Sequence, residues 1–364
     1  MSNAVLGRHI GGASLVIGCA LAGTWLASFI GSSVLGFAKS PVSGVMVAIL
    51  LGVLIAQLAQ RPVAGLAPTL RFFTTTVLRT GIVLLGARLS LVAVSELGLK
   101  ALPVVLICIA VALIVVLLVG RAMKLPTELA MLIAVGTSIC GVTAIAATAP
   151  LIRARALEVS YATGCITLFG MLALLVHPFI AHALFAGRPD LAGIFLGTAV
   201  HDTAQVAGAA MLYQQQYTAP LALEAATVTK LLRNLFMALV IPLAAVLAAH
   251  SSAASVAAGA NVPRPPLVPL FVLGFIGMCV LRTVGDLGAA PFGVLSQTDW
   301  QSMLTLMQTL SEWCLIAAMA AVGLQTRLDS FATLGLRPLL LGLIAAALVG
   351  AVSAAALALG AALF

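Results

Sequence analysis

Charged residues are scarce in this sequence: they make up 8% of its 364 residues, whereas 62% of the residues are hydrophobic. Soluble domains average about 25% charged and about 45–50% apolar residues. Apolar windows of roughly 20 residues, each long enough to cross a bilayer as a helix, recur along the whole chain. A soluble core of this size would contain only a few such windows. The composition therefore excludes a soluble globular protein and predicts an all-α polytopic membrane protein.

Sequence motifs of enzymes are also missing. The chain has no H-E-x-x-H zinc motif, no G-x-S-x-G nucleophile turn, no aspartate-rich prenyl-diphosphate motif and no phosphate-binding P-loop. Without a nucleotide-binding loop, an ATP-driven pump is disfavoured. The six cysteines stand inside apolar runs without C-x-x-C spacing, which argues against a disulfide framework and against a zinc site. We therefore expect no enzymatic activity, no cofactor and no metal.

The net charge of +8 comes from Lys and Arg residues that stand singly between apolar runs. Such loop charges orient membrane proteins, and their distribution over the expected loops places the N-terminus in the cytoplasm. They do not cluster into the basic patch of a nucleic-acid-binding protein. The first apolar run, at about 9–30, is too long for the hydrophobic region of a cleaved signal peptide. We expect a multi-pass protein that binds no nucleic acid.

The hydropathy pattern predicts about nine to eleven transmembrane helices within one transporter domain over 1–364. The candidate spans run approximately over 9–30, 43–60, 79–97, 101–120, 127–149, 160–186, 191–213, 221–249, 266–283, 301–325 and 335–363. Connectors are short, and the longest polar connector covers 250–266. We assign a first repeat region to about 43–186 and a second to about 191–364.

Two stretches within the apolar spans share one pattern. Residues 197–210 begin Gly-Thr-Ala-Val-His-Asp-Thr-Ala-Gln, and residues 136–149 begin Gly-Thr-Ser-Ile-Cys-Gly-Val-Thr-Ala. Paired glycine-interrupted apolar segments at matching positions are a sequence indication of a transporter binding site. We expect both stretches to be broken or re-entrant helices, because irregular backbone is tolerated in a membrane only where protein or a watery cavity surrounds it.

A second pair of similar segments favours an inverted repeat. Arg88-Leu89-Ser90-Leu91 resembles Arg327-Leu328-Asp329-Ser330, and each copy precedes a long apolar run. The copies end the third and the tenth candidate span, an odd separation that places them in opposite orientations across the bilayer. Inverted-topology repeats of this kind are common among secondary transporters.

Lys230 and Arg233 form the first candidate binding pair. They stand three residues apart, which places them on one face of a helix. One interpretation is that both side chains extend to the membrane interface from a helix end. The other is that they form a cationic wall of an anion pocket, which the long apolar run from Pro220 to His250 favours.

Ionisable residues inside the apolar spans are candidates for proton or ion coupling. His201 titrates near neutral pH and is a natural proton carrier, while Asp202 would accept backbone N–H groups at the start of a half-helix. Gln205 follows one turn later on the face of His201. Glu312 is a lone intramembrane carboxylate and a second proton-site candidate. The alternative is that His201 and Asp202 form a structural pair that caps a broken helix.

Hydroxyl groups near the expected helix breaks complete the candidate substrate site. Thr137, Ser138 and Thr198 are the candidates beside Lys230, Arg233 and Gln205. Free backbone N–H groups at helix N-termini bind anions, and hydroxyls could assist them. The alternative is that these hydroxyls bond back to carbonyls of their own helices.

Several of these motifs resemble the YeiH-type family of predicted sulfate exporters, which are UPF0324-like inner-membrane proteins. The similar segments are 84–91, 136–147, 197–206, 229–234 and 320–328, and they extend over nearly the whole chain. The resemblance implies a bacterial inner-membrane protein grouped with secondary transporters of broken-helix, inverted-repeat design. It also suggests sulfate or a sulfonate-related compound as the substrate class.

We expect a secondary active transporter of a small anion, driven by an H⁺ or Na⁺ gradient. A passive anion channel is the alternative, and flux that cannot concentrate the anion would distinguish it. An intramembrane enzyme is a third hypothesis, disfavoured because no nucleophile or metal set accompanies His201 and Asp202. The expected partners are the small anion, the coupling ion, the lipid bilayer and a second copy of the chain.

Overall fold

A computed structural model of the protein describes residues 3–30, 33, 43–58, 66–251, 269–287, 291–327 and 335–361. It is 88% helical, and these residues form no strand, which confirms the prediction of an all-α polytopic membrane protein. Most of the predicted connector at 250–266 lies outside the described residues. So does most of the second Arg-Leu segment, which begins at Arg327.

The helices follow one another with short connections. In chain order they are α1 (Asn3–Phe29), α2 (Gly44–Leu58), α3 (Ala67–Phe72), α4 (Leu78–Leu85), α5 (Leu91–Ala122), α6 (Thr127–Ser138), α7 (Val142–Thr148), α8 (Ala156–Phe185), α9 (Pro189–Ala199), α10 (Thr203–Tyr217), α11 (Pro220–Leu235), α12 (Met237–Ser251), α13 (Leu270–Gly285), α14 (Gln297–Gln325) and α15 (Leu336–Ala361). A π-helical turn, Phe73–Val77, joins α3 to α4, and 3₁₀ turns cover Gly86–Arg88 and Pro291–Gly293.

Six helical segments of the described chain are long and apolar enough to cross a membrane. They are His9–Phe29, Ala67–Arg88, Leu91–Ala122, Ala156–Phe185, Gln297–Gln325 and Leu336–Gly360. A seventh candidate is the pair α11 and α12, which is bent by 43°. Shorter apolar helices, among them α2, α6 and α13, account for other predicted spans.

One predicted boundary is wrong. The sequence suggested separate spans at 79–97 and 101–120, with Lys100 in a loop between them. Instead α5 continues from Leu91 to Ala122 through Lys100 and Pro103. Lys100 is exposed on the helix surface and its Nζ lies 3.7 Å from Asp190 Oδ2. A partly paired charge on the surface of a helix therefore does not end it.

The chain divides into two compact units, and each is assembled from separate stretches. The first contains 1–96, 210–224 and 269–328, and the second contains 97–209, 225–268 and 329–364. The predicted repeat regions are two continuous ranges, whereas each unit combines separate stretches of the chain. The division into units therefore does not test the repeats, which stay a prediction.

In the first unit, α2 and α14 pack closely through small residues. A Cβ added to Gly323 would lie 2.3 Å from the backbone oxygen of Ile49, and one added to Gly52 would lie 2.7 Å from the oxygen of Ala320. Small residues let helix backbones approach in a membrane, where packing replaces the hydrophobic effect between helices.

Gly323→Ala is expected to destabilise this contact. The added methyl group meets backbone rather than a flexible side chain, so α2 and α14 must separate, and overpacking of this kind typically costs about 1–3 kcal/mol. Thermal unfolding of the purified protein in detergent measures the effect. Gly277→Ala is the matched control, because nothing lies within 4 Å of a Cβ at Gly277. Equal melting temperatures for the two variants would contradict the prediction.

In the second unit, the half-length helices α6 and α9 lie inside the protein. Every residue of α6 from Leu129 to Ser138 is buried, and every residue of α9 from Asp190 to Ala199 is buried. Helices α8 and α15 pack against both of them, and α7 and α12 also pack against α6. Protein therefore surrounds both segments that the sequence predicts to be interrupted.

Candidate functional site

Both predicted interruptions are present in the second unit. Helix α6 ends at Ser138 and α7 begins at Val142, while α9 ends at Ala199 and α10 begins at Thr203. Gly141 has a φ of +73° and Val200 has extended backbone, so neither position continues a helix. Each break leaves the last carbonyl groups of a half-helix without partners from its own helix.

Arg233 of α11 satisfies carbonyls at both breaks. Its Nε donates to Ser138 O at 2.7 Å, and its Nη1 donates to Thr198 O at 2.7 Å and to Val200 O at 3.3 Å. Its Nη2 donates to Thr137 O. The residue is completely buried, with 0% of its surface exposed. A single guanidinium thus joins the C-terminal end of α6 to that of α9.

Lys230 repeats this arrangement one turn earlier on α11. Its Nζ donates to Ile139 O at 2.9 Å, to Val200 O at 3.4 Å and to His201 O. Only 1% of the residue is exposed. An ammonium group has three protons to donate, and three carbonyls accept from it here.

The two cations therefore lie at the negative ends of two helix dipoles. The C-terminal end of a helix carries roughly −0.5 of an elementary charge, and cations near it are stabilising. The sequence suggested either side chains that reach the interface or a cationic wall beside free N–H groups. Lys230 and Arg233 are buried at the breaks, so they do not reach the interface, and their donors bind backbone oxygens. Whether they also bind an anion stays a prediction.

Most of the hydroxyls expected at the substrate site already make hydrogen bonds within the protein. Ser138 Oγ donates to Ala134 O at 2.8 Å and Thr198 Oγ1 donates to Ile194 O at 2.8 Å, so both bond back to their own helices. Thr198 Oγ1 also lies 2.6 Å from Ser353 Oγ of α15, a contact that nothing in the sequence indicated. The hydroxyl of Thr137 is buried without a hydrogen-bond partner among the described residues.

Asp202 and Gln205 organise the start of α10. Asp202 Oδ1 accepts from Ala204 N at 2.9 Å, the geometry expected of a helix cap. Gln205 Oε1 accepts from Asp202 N at 3.3 Å, and its Nε2 donates to Thr167 O of α8 at 3.2 Å. Both side chains hold the second break in position, and a further role in coupling or substrate binding stays a prediction.

His201 is the polar residue with the least satisfied side chain at the second break. It is 0% exposed, and neither ring nitrogen has a hydrogen-bond partner among the residues that the structure describes. Its own carbonyl binds Lys230. An imidazole without partners can accept a proton or a ligand, so its proposed coupling role stays open.

Glu312 belongs to the first unit. Its Oε1 accepts from Arg88 Nη2 at 2.5 Å and from Gln214 Nε2 at 3.0 Å. Arg88 also donates to Gln214 Oε1 at 3.2 Å. From the sequence, Arg88 stood out only as part of the repeated Arg-Leu segment, and Gln214 did not stand out. Arg88 is an isolated cation in an apolar stretch, which is the signal that could have identified it, whereas Gln214 begins a run of three glutamines at 214–216.

Gly141→Ala is expected to disturb the site more than an ordinary glycine substitution. Positive φ disfavours a side chain, and a Cβ at Gly141 would lie 3.1 Å from Asp202 Oδ2 and 3.3 Å from Asp202 Cα. Such backbone strain costs about 1–3 kcal/mol, and displacement of Asp202 adds to it.

The control is Gly187→Ala, because Gly187 also has a positive φ, of +80°, but nothing within 4 Å of its Cβ position. Thermal unfolding in detergent should show the larger loss for Gly141→Ala. A loss no larger than that of the control would mean that the contact between the two breaks contributes nothing.

Comparisons with known proteins identify the family. The family model described as Conserved hypothetical protein 698 matches residues 12–342. A UPF0324 membrane protein of Fusobacterium nucleatum is 31% identical over 306 residues, which are 83% of this chain and 85% of the relative. A UPF0324 membrane protein of Streptococcus pneumoniae is 35% identical over 84% of this chain and 85% of the relative. No solved structure matches the chain. The resemblance to UPF0324 proteins is thus confirmed, and the chain belongs to the conserved hypothetical protein 698 family of UPF0324 membrane proteins.

Proposed function

We propose that this protein is a secondary active transporter of a small anion, driven by an H⁺ or Na⁺ gradient across the bacterial inner membrane. The observation that supports it is the pair Lys230 and Arg233, two completely buried cations at the meeting point of two interrupted helices. Neither cation has a carboxylate within ion-pair distance in the described part of the chain. Buried ionisable residues in a membrane protein mark substrate or ion pathways by default.

The charge balance at the breaks favours an anion. The C-terminal ends of α6 and α9 contribute about −0.5 each, so they offset roughly one of the two positive charges. Asp202 caps α10, and the positive N-terminal end of that helix offsets part of its carboxylate charge. A positive excess remains in a region of low dielectric, where an anion entering between the half-helices would compensate it.

The broken helices suit alternating access, in which the binding site opens first to one side of the membrane and then to the other. Non-helical backbone at the breaks lies within protein rather than lipid, as transporter sites require. Sulfate or a sulfonate-related anion is the substrate class that the family resemblance suggests. In this proposal Lys230 and Arg233 attract the anion, and Thr137, whose hydroxyl has no hydrogen-bond partner among the residues that the structure describes, contributes to its binding.

Uptake into proteoliposomes tests the proposal. Purified protein is reconstituted, and radiolabelled sulfate, a sulfonate and a neutral solute are supplied with no gradient, with a pH gradient and with a Na⁺ gradient. Accumulation of an anion above its external concentration under one gradient is the expected result. Equilibration without accumulation would indicate the passive channel, and the absence of flux for every anion would contradict the proposal.

A further inference from the structure

The first unit contains a polar cavity that the sequence did not predict. Its volume is about 800 Å³, within the range of small-molecule sites. Side chains from several helices line it, among them Arg88, Gln214, Glu224, Arg282 and Gln308. Ionisable side chains among apolar helices of a membrane protein mark a candidate site for an ion or a solute.

Both guanidinium groups that line the cavity already have acidic partners. Arg88 Nη2 lies 2.5 Å from Glu312 Oε1, and Arg282 Nε lies 2.6 Å from Asp286 Oδ2. Asp286 is also held by Trp300 Nε1, which donates to its Oδ1 at 2.9 Å. These four charged groups therefore form two neutral pairs.

Glu224 is the remaining charged group of the lining. It is half-buried on α11, and it makes neither a hydrogen bond nor an ion pair of its side chain with any residue in the described ranges. Two amides of the lining are engaged elsewhere, since Gln214 binds Arg88 and Glu312 and Gln215 Oε1 accepts from Ser43 Oγ at 2.7 Å. With both arginines in ion pairs with other carboxylates, Glu224 gives the cavity one negative charge that no ion pair within the described residues compensates, and Arg88 and Arg282 act on it only at longer range.

We propose that Glu224 is the site that binds the coupling proton. This inference rests on the proposed transport function and assigns its driving ion. A proton removes the uncompensated charge without further ligands. A metal cation would need several inward-facing oxygen ligands, and two of the four amide oxygens of the lining, those of Gln214 and Gln215, are already engaged by Arg88 and Ser43.

The other coupling candidates are less available than Glu224. Glu312 accepts two hydrogen bonds, one of them within an ion pair. Asp202 caps α10 through Ala204 N. His201 shares the second break with two buried cations, and a third positive charge there would be repelled. Glu224 also stands six positions before Lys230 on the same helix, α11, so its protonation changes the charge of the helix that carries both cations.

An infrared titration of the purified full-length protein tests proton binding directly. The carboxylic C=O band of the wild type should grow as the pH falls from mildly alkaline to mildly acidic, and Glu224→Gln should lose that component. Glu96→Gln, at an exposed position of α5, is the matched control and should retain it. A band unchanged by Glu224→Gln overturns the proposal. If the glutamine variant does not fold, Glu224→Asp is used instead: it should shift the position or the titration of that band, and a band identical to that of the wild type overturns the proposal.

A transport measurement separates coupling from substrate binding. In proteoliposomes, Glu224→Gln should lose accumulation of radiolabelled sulfate driven by a pH gradient but retain sulfate exchange without a gradient. Accumulation equal to that of wild type overturns the proposal. If wild-type protein transports no sulfate, the substrate assignment fails, and the infrared titration still decides whether Glu224 binds the proton.

Discussion

Arg233→Ala is expected to abolish anion transport and to lower the stability of the protein strongly. The substitution removes a buried positive charge and leaves the carbonyls of Thr137, Ser138 and Thr198 without their donor. Each buried polar group left unsatisfied costs about 1–3 kcal/mol, so a loss of roughly 3 kcal/mol or more is expected. Thermal unfolding in detergent and uptake of labelled sulfate measure the two effects.

The matched control for this prediction is Arg121→Ala. Arg121 is exposed in the last turn of α5, so its removal should alter neither stability nor uptake. Arg233→Lys keeps the charge but cannot donate four bonds from one planar group, and we expect it to recover part of the stability only. An Arg233→Ala variant as stable and active as the wild type would show that the guanidinium does not join the two breaks.

With the anion supplied well below half-saturation, Lys230→Met should reduce the initial rate of uptake by about tenfold or more, since a loss of only about 1.4 kcal/mol in anion binding weakens binding tenfold. Methionine approximates the length of the lysine side chain and removes its charge. The carbonyls of Ile139, Val200 and His201 lose a shared donor, so a moderate loss of stability accompanies the change.

A comparison at matched folded fraction isolates the effect of charge in Lys230→Met. The variant and the wild type are purified by size exclusion, and uptake is expressed per folded molecule. Lys230→Arg, which keeps the charge, should transport faster than Lys230→Met. Equal rates for the two variants would indicate that the positive charge of Lys230 plays no part in attracting the anion.

The positions of the helix breaks could be predicted from the sequence. The carbonyl groups at the breaks that bind Lys230 and Arg233 could not. Glycine and small polar residues within apolar runs, as at Gly136-Thr137 and Gly197-Thr198, indicate interruptions because they weaken a helix locally. The acceptors of Lys230 and Arg233 are backbone oxygens. Every residue carries such an oxygen, so no sequence pattern identifies which carbonyls will be used.

The sequence by itself determined the class of the protein, because composition is read directly from it. It also determined the segments that interrupt the helices, because local helix propensity depends on neighbouring residues alone. Only the tertiary structure decided which charges are compensated. Glu312 and Glu224 are both carboxylates in apolar stretches of the sequence, yet Arg88 makes an ion pair with Glu312, while Glu224 lines a cavity and makes no ion pair with any residue that the structure describes. Such pairings join residues far apart in the chain, and their energies depend on distance and burial, which only the folded arrangement sets.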